Sequence, residues 1–184
     1  MKMTLLPPKF RHFAIPLIAL CLFAATASDS QAQSLNEDSL KANYLLRFVD
    51  FVRWEKPKTG HSKIGVLNEP SLYRELKSIA ADKSTPTRSF EIVEIDANAP
   101  YLDQAKGLDM IYVGRGQKKR WSDIVTNSRQ EATITVSSET GFMDSGGLIE
   151  FVTLQNRLRF ALNLIEVDSY NLGVSSKLAQ LAVR

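Results

Sequence analysis

Apolar runs of strand length alternate with amphipathic helical runs along most of this chain, and no other feature restricts its fold as much. KIGVLN (63–68) reads as a strand and PSLYRELKSIAAD (70–82) as a helix, with Pro70 near its first position and Leu72, Leu76 and Ile79 inward. RSFEIVEID (88–96) is a strand, and LDMIYVG (108–114) is another after a polar loop that includes Pro100. KKRWSDIVTNS (118–128) is helical and ATITVSS (132–138) is a β-branched strand. Strands joined by helices pair in parallel, because a parallel crossover must run back the length of the sheet. The expected fold is α/β: a single domain with a mixed, mostly parallel sheet flanked by helices on both faces.

Three segments depart from that rhythm. NEDSLKANYLLRFVDFVRWEKP precedes the first strand and has helical spacing, with Leu40, Tyr44, Phe48, Phe51 and Val52 as its buried stripe. Leu45 and Val49 widen the apolar arc, and Pro57 stops the helix. LIEFVTLQNRLRFALNL (148–164) is two strands around Gln155-Asn156, a C-terminal antiparallel hairpin. The end, IEVDSYNLGVSSKLAQLAVR, reads as helical with a break near Gly173, and Ser175 or Ser176 caps the last helix.

The first 32 of the 184 residues are a different kind of sequence. Lys2, Lys9 and Arg11 precede the apolar run FAIPLIALCLFAATA, and a small-residue spacer follows. That order is a secretory signal peptide, with cleavage after Ala27 or Ala32. We divide the chain at residue 32: signal peptide 1–32, α/β domain 33–184. An uncleaved anchor wants about 18 apolar residues, and Pro16 interrupts this run. Cys21 leaves with the signal, so the mature chain has no cysteine and no disulfide. Residues 1–32 also hold three of the 23 Lys+Arg and one of the 20 Asp+Glu. The remainder is 20 against 19, a net charge of +1, which leaves no electrostatic footprint for a nucleic acid.

GFMDSGGL (141–148) nearly spells a phosphate-binding loop, but Gly147 stands where the lysine belongs and strand residues follow where a helix should. It reads as a glycine turn entering a strand. VGRGQ (113–117) lies between a strand and a helix, at the edge where open α/β sheets bind ligands. Gly114, Arg115 and Gly116 form a possible anion or ligand pocket there, with Lys118, Lys119 and Arg120 nearby; the alternative is a solvated basic face beside a turn. Catalytic equipment is thin. The mature chain has one histidine, His61, in a polar stretch with no evident partner, and no G-x-S-x-G elbow. No metal-ligand pattern and no cofactor fingerprint is present, so we expect no enzyme, no metal and no cofactor.

Interaction remains. Trp54 ends the first helix among charges, and Phe142 and Met143 sit in the glycine turn. Large apolar residues on a turn meet a partner or tuck back over the sheet edge. Arg157 and Arg159 share a strand face, where they reach a partner or pair with Glu150 across the hairpin. The candidate partner-binding set is therefore Trp54, Phe142, Met143, Glu150, Arg157 and Arg159.

Three blocks together resemble one family: LKANYLLRFVDFVRWEKP, TVSSETGFMDSGGLIEFVTLQNRLRFALNL and LGVSSKLAQLA. In that order they are similar to the YfiR-like family of secreted bacterial proteins, over about residues 37–183. The resemblance implies a periplasmic, non-enzymatic regulator. It would bind the periplasmic region of a membrane diguanylate cyclase, hold it inactive and so lower cyclic di-GMP and biofilm formation. It also implies an outer-membrane lipoprotein as a second partner, a homodimer, and an α/β sandwich around a mixed sheet. Well-studied members carry disulfides, which this mature chain cannot form. The alternative is a periplasmic small-molecule-binding sensor module for another membrane signalling protein, using the GRGQ pocket.

Overall fold

The computed structural model describes residues 36–55 and 60–183. The signal-peptide reading, both cleavage points and Pro57 lie outside the described residues. Helix α1 (36–51) leads into β1 (Val52–Trp54), then β2 (His61–Leu67), α2 (Pro70–Lys83), β3 (Ser89–Ile95), α3 (Tyr101–Gln104) and β4 (Met110–Val113). After a 3-10 turn at Lys118–Arg120 come α4 (Trp121–Glu131), β5 (Ile134–Ser137), β6 (Ile149–Leu154) and β7 (Arg157–Leu162), and the chain closes with β8 (Leu172–Val174) and α5 (Ser176–Leu181).

Six strands form one sheet in the order β3-β2-β4-β5-β6-β7. The first five are parallel and β7 is antiparallel to β6. The mixed, mostly parallel sheet expected from the alternation is present, with the hairpin at its edge. Gln155 and Asn156 both take positive φ, +49° and +58°, the geometry of a two-residue hairpin turn.

Two apolar layers hold the sheet. On one face, Leu45, Leu46, Phe48 and Val49 of α1 and Leu72, Leu76 and Ala80 of α2 pack on Ile64, Val66, Val136 and Phe151. Tyr44 and Phe48 meet Phe151 and Phe160 with ring centroids 4.9–5.9 Å apart. Such a cluster stabilises by burial and by edge-on ring geometry. On the other face, Tyr101 and Ala105 pack with Trp121 and Ile124 on Ile111 and Val113.

Four local expectations need correction. Residues 52–54 leave the helix and pair antiparallel with β8, Trp54 opposite Leu172 and Arg53 opposite Gly173. The segment around Gly173 is thus a strand, preceded by a short 3-10 turn, Asp168–Tyr170, and not a broken helix. That ribbon joins residues more than a hundred positions apart, which no local periodicity reports. Second, the buried arc of α1 is rotated: Leu40 is exposed, and Leu45, Leu46 and Phe48 are its centre. Third, the loop after β3 contains α3. Fourth, His61 opens β2; its Nδ1 shares a hydrogen bond with Ser89 Oγ at 2.8 Å and its Nε2 lies 3.5 Å from Glu91. The last helix is capped by Ser175, whose Oγ accepts from Leu178 N at 3.2 Å.

Candidate functional site

The glycine turn is a structural clasp. Phe142 is fully buried, edge-on to Trp121 with centroids 5.3 Å apart. Its ring lies over Gly147 so closely that any Cβ there would overlap it, with Cζ at 2.9 Å and two further ring carbons nearer. Gly147 N donates to Phe142 O at 3.0 Å. Asn163 Nδ2 donates to Met143 O and Gly147 O, both at 3.2 Å, and Tyr170 OH donates to Gly146 O at 2.9 Å. Burial pushes the Tyr170 phenol up to about 12. Strand β6 follows directly, so the turn presents no helix end to an anion.

These facts remove two residues from the partner-facing set. Phe142 is core. Glu150 is also buried, and its Oε2 accepts from Met143 N at 3.1 Å. It sits opposite Ala161, whereas Arg159 faces Val152 and Arg157 faces Leu154, so no Glu150–arginine pair forms. Trp54 is half-buried and donates through Nε1 to Ala132 O at 2.9 Å. Met143 is half-buried, and Arg157 and Arg159 are exposed.

The GRGQ stretch lies at the topological switch point, where the chain runs from β2 to β3 on one side and from β4 to β5 on the other. Its backbone donors serve the fold. Gly114 N donates to Leu67 O at 2.8 Å and Gly116 N to Glu139 Oε1 at 3.2 Å. Asn68 Nδ2 donates to Arg115 O at 2.8 Å. A Cβ on Gly114 would sit 2.5 Å from Asn68 O and 2.6 Å from Leu67 O, so this glycine is required by the close approach of two loops. With those two N–H groups engaged and the Glu139 carboxylate beside them, the glycines form no phosphate cradle. Arg115 is exposed at the rim.

A cleft of about 650 Å³ opens next to this edge, between α3 and α4. Tyr101, Leu102, Arg120, Ile124 and Asn127 line it. Burial raises the Tyr101 phenol above its ordinary range, against the opposing effect of Ser128 and Asn127 beside its hydroxyl. Nη1 of Arg120 is buried with no hydrogen-bond partner among the described residues. Sequence reasoning missed this cleft, because its walls come from a one-turn helix that carries no periodic signal. Among the described residues, no group of three His, Cys, Asp or Glu side chains is placed to hold a metal, and no helix is long and apolar enough to cross a membrane.

The YfiR/HmsC-like family model matches residues 38–183. No curated protein matches. A solved structure from Vibrio cholerae O1 biovar El Tor str. N16961, described as a conserved domain protein, superposes with a TM-score of 0.60 at 12% identity. It covers 79% of this chain, and this chain spans 59% of its length. An ABC domain from Streptococcus pneumoniae, solved in complex with L-Trp, reaches a TM-score of 0.49 at 12% identity, over 66% of this chain and 54% of that one. At 12% identity the likeness to the Vibrio structure speaks for the fold alone. The family model, by contrast, takes in every described strand and all of the clasp around Gly147, and this chain belongs to the YfiR/HmsC-like family.

Proposed function

We propose that this chain is a periplasmic regulatory binding protein that represses an inner-membrane diguanylate cyclase and so lowers cyclic di-GMP. The observation that carries the reading is the family match across residues 38–183. In this reading residues 1–32 export the chain, the α/β body binds the cyclase's periplasmic region, and an outer-membrane lipoprotein competes for the repressor. Repression needs no chemistry. A protein that binds one state of a receptor more tightly than the other shifts the receptor toward that state. A homodimer of the repressor would match a two-fold receptor. Its contacts would come from Arg157, Arg159, Met143 and the edge of Trp54, the members of the partner set that keep exposed surface.

The test is deletion of the gene with measurement of cyclic di-GMP under conditions of expression. A rise, reversed by the periplasmic form and not by one lacking residues 1–32, is the expected outcome. An unchanged level would overturn the reading.

The cleft between α3 and α4 favours a second role, as a small-molecule-binding sensor module. Arg120 Nη1, buried with no hydrogen-bond partner among the described residues, is a donor that a polar ligand entering the cleft would satisfy.

A further inference from the structure

In a doubly wound sheet each new parallel strand arrives through a crossover helix, and that helix covers the strands beside it. Strand β7 arrives through a two-residue turn and brings no helix. One face of the β6–β7 hairpin is nonetheless covered, because Phe151 and Phe160 pack against α1. The register places Glu150 and Ala161, Val152 and Arg159, and Leu154 and Arg157 in facing pairs on the opposite side. The glycine turn reaches over the Glu150 end of that face through Met143. Beyond it the surface is open: Leu154 is 47% exposed, Arg157 and Arg159 are exposed, and Val152 is half-buried. Neither arginine forms an ion pair with a described carboxylate. Just past the end of β7, Leu164 is 58% and Ile165 92% exposed.

We propose that this face docks an amphipathic helix of a partner protein, laid along the exposed strip from Val152 to Leu154. Its apolar side chains would fill the strip at Val152 and Leu154, and its Asp or Glu residues would meet Arg157 and Arg159. Charge complementarity selects this occupant. A second copy docked through the same strip about a two-fold axis would enclose the arginines of both copies in one interface, with no exposed carboxylate in the strip to offset them. An acidic helix offers carboxylates to two guanidinium forks that pair with no described carboxylate. The inference rests on the reading of the chain as a regulatory binding protein, and names the chemistry of its partner.

The test places the photoreactive residue p-benzoylphenylalanine at position 154 of the full chain in its own host. The crosslinked peptide is then identified by mass spectrometry. The expected product is a single partner protein joined within a helical segment that carries Asp or Glu. Its yield should fall about tenfold or more in the Arg157→Glu/Arg159→Glu double variant, with an unchanged melting temperature. A crosslink to a second copy, a crosslink indifferent to charge reversal, or no crosslink at all overturns the proposal. Cyclic di-GMP separates the two ideas. If deletion raises it and the double variant still represses like the parent chain, the docking face is wrong and the repressor reading stands. If the charge-dependent crosslink forms and deletion changes nothing, the repressor reading fails alone.

Discussion

Gly147→Ala should destabilise this protein by overpacking, and the structure says which side chain is responsible. The glycine is not among the positive-φ residues, so an alanine there has no backbone strain to bear. What it meets is the Phe142 ring, too close for any Cβ. The ring has no free direction, since it is fully buried and lies edge-on to Trp121. Forcing a methyl into such a contact costs about 1–3 kcal/mol. For a domain of this size that is a fall in melting temperature of about 3–9 °C. The informative assay is a double-mutant cycle by urea unfolding. Phe142→Ala alone should cost about 3–5 kcal/mol, which the usual stability of about 5–15 kcal/mol can absorb. In that background the clash is gone, and Gly147→Ala should become neutral or stabilising by about 0.4–1 kcal/mol, through reduced freedom of the unfolded chain. A cost that is the same in both backgrounds would refute the reasoning.

Other expectations follow from the same geometry. Gly114→Ala should cost at or above the upper end of about 1–3 kcal/mol, because the obstacles are the carbonyl oxygens of Leu67 and Asn68; a thermal melt within 2 °C of the parent, taken here as roughly no change, would contradict it. Tyr170 has a folded pKa pushed above the ordinary phenol value, so its contribution is complete below about pH 10 and lost as pH rises toward about 12. Tyr170→Phe should therefore lower stability at pH 8 through the lost bonds to Gly146 and Thr135, and flatten the alkaline decline; parallel pH profiles for the two proteins would exclude this assignment. Glu91 has its pKa lowered by hydrogen bonding to Lys63 and, next among its partners, His61. Its contribution is present above the ordinary carboxylate range and disappears as pH falls through the folded value. Glu91 is solvent-exposed and Lys63 half-buried, so Glu91→Gln should cost only a few tenths of a kcal/mol near pH 7 and about nothing near pH 3, read from urea midpoints at both pH values.

How much of this was legible beforehand differs from element to element. The strand at 63–68 and the helix at 70–82 were readable because one amphipathic helix and one apolar strand each carry their own period. The hairpin was readable because Gln155-Asn156 interrupts two apolar runs at hairpin spacing. Phe142 was not. A phenylalanine between glycines looks exposed in one dimension, and its burial depends on Trp121, which arrives from another element. Glu150 looked like a partner for the hairpin arginines, and only the register, with a backbone N–H of the turn waiting for it, assigns it inward.

The main strands and helices, and hence a parallel sheet with an antiparallel edge, were thus determined by the amino-acid sequence itself, whereas the strands at 52–54 and 172–174 and the one-turn α3 were not. Tertiary structure decided the rest. It joined β1 to β8, engaged the glycine N–H groups of GRGQ in the fold, opened a cleft beside a one-turn helix, and left one face of the hairpin uncovered. The physical reason is that propensity and periodicity act between neighbours within a few residues. Burial, register and the satisfaction of a buried donor depend on atoms that come from elsewhere in the chain.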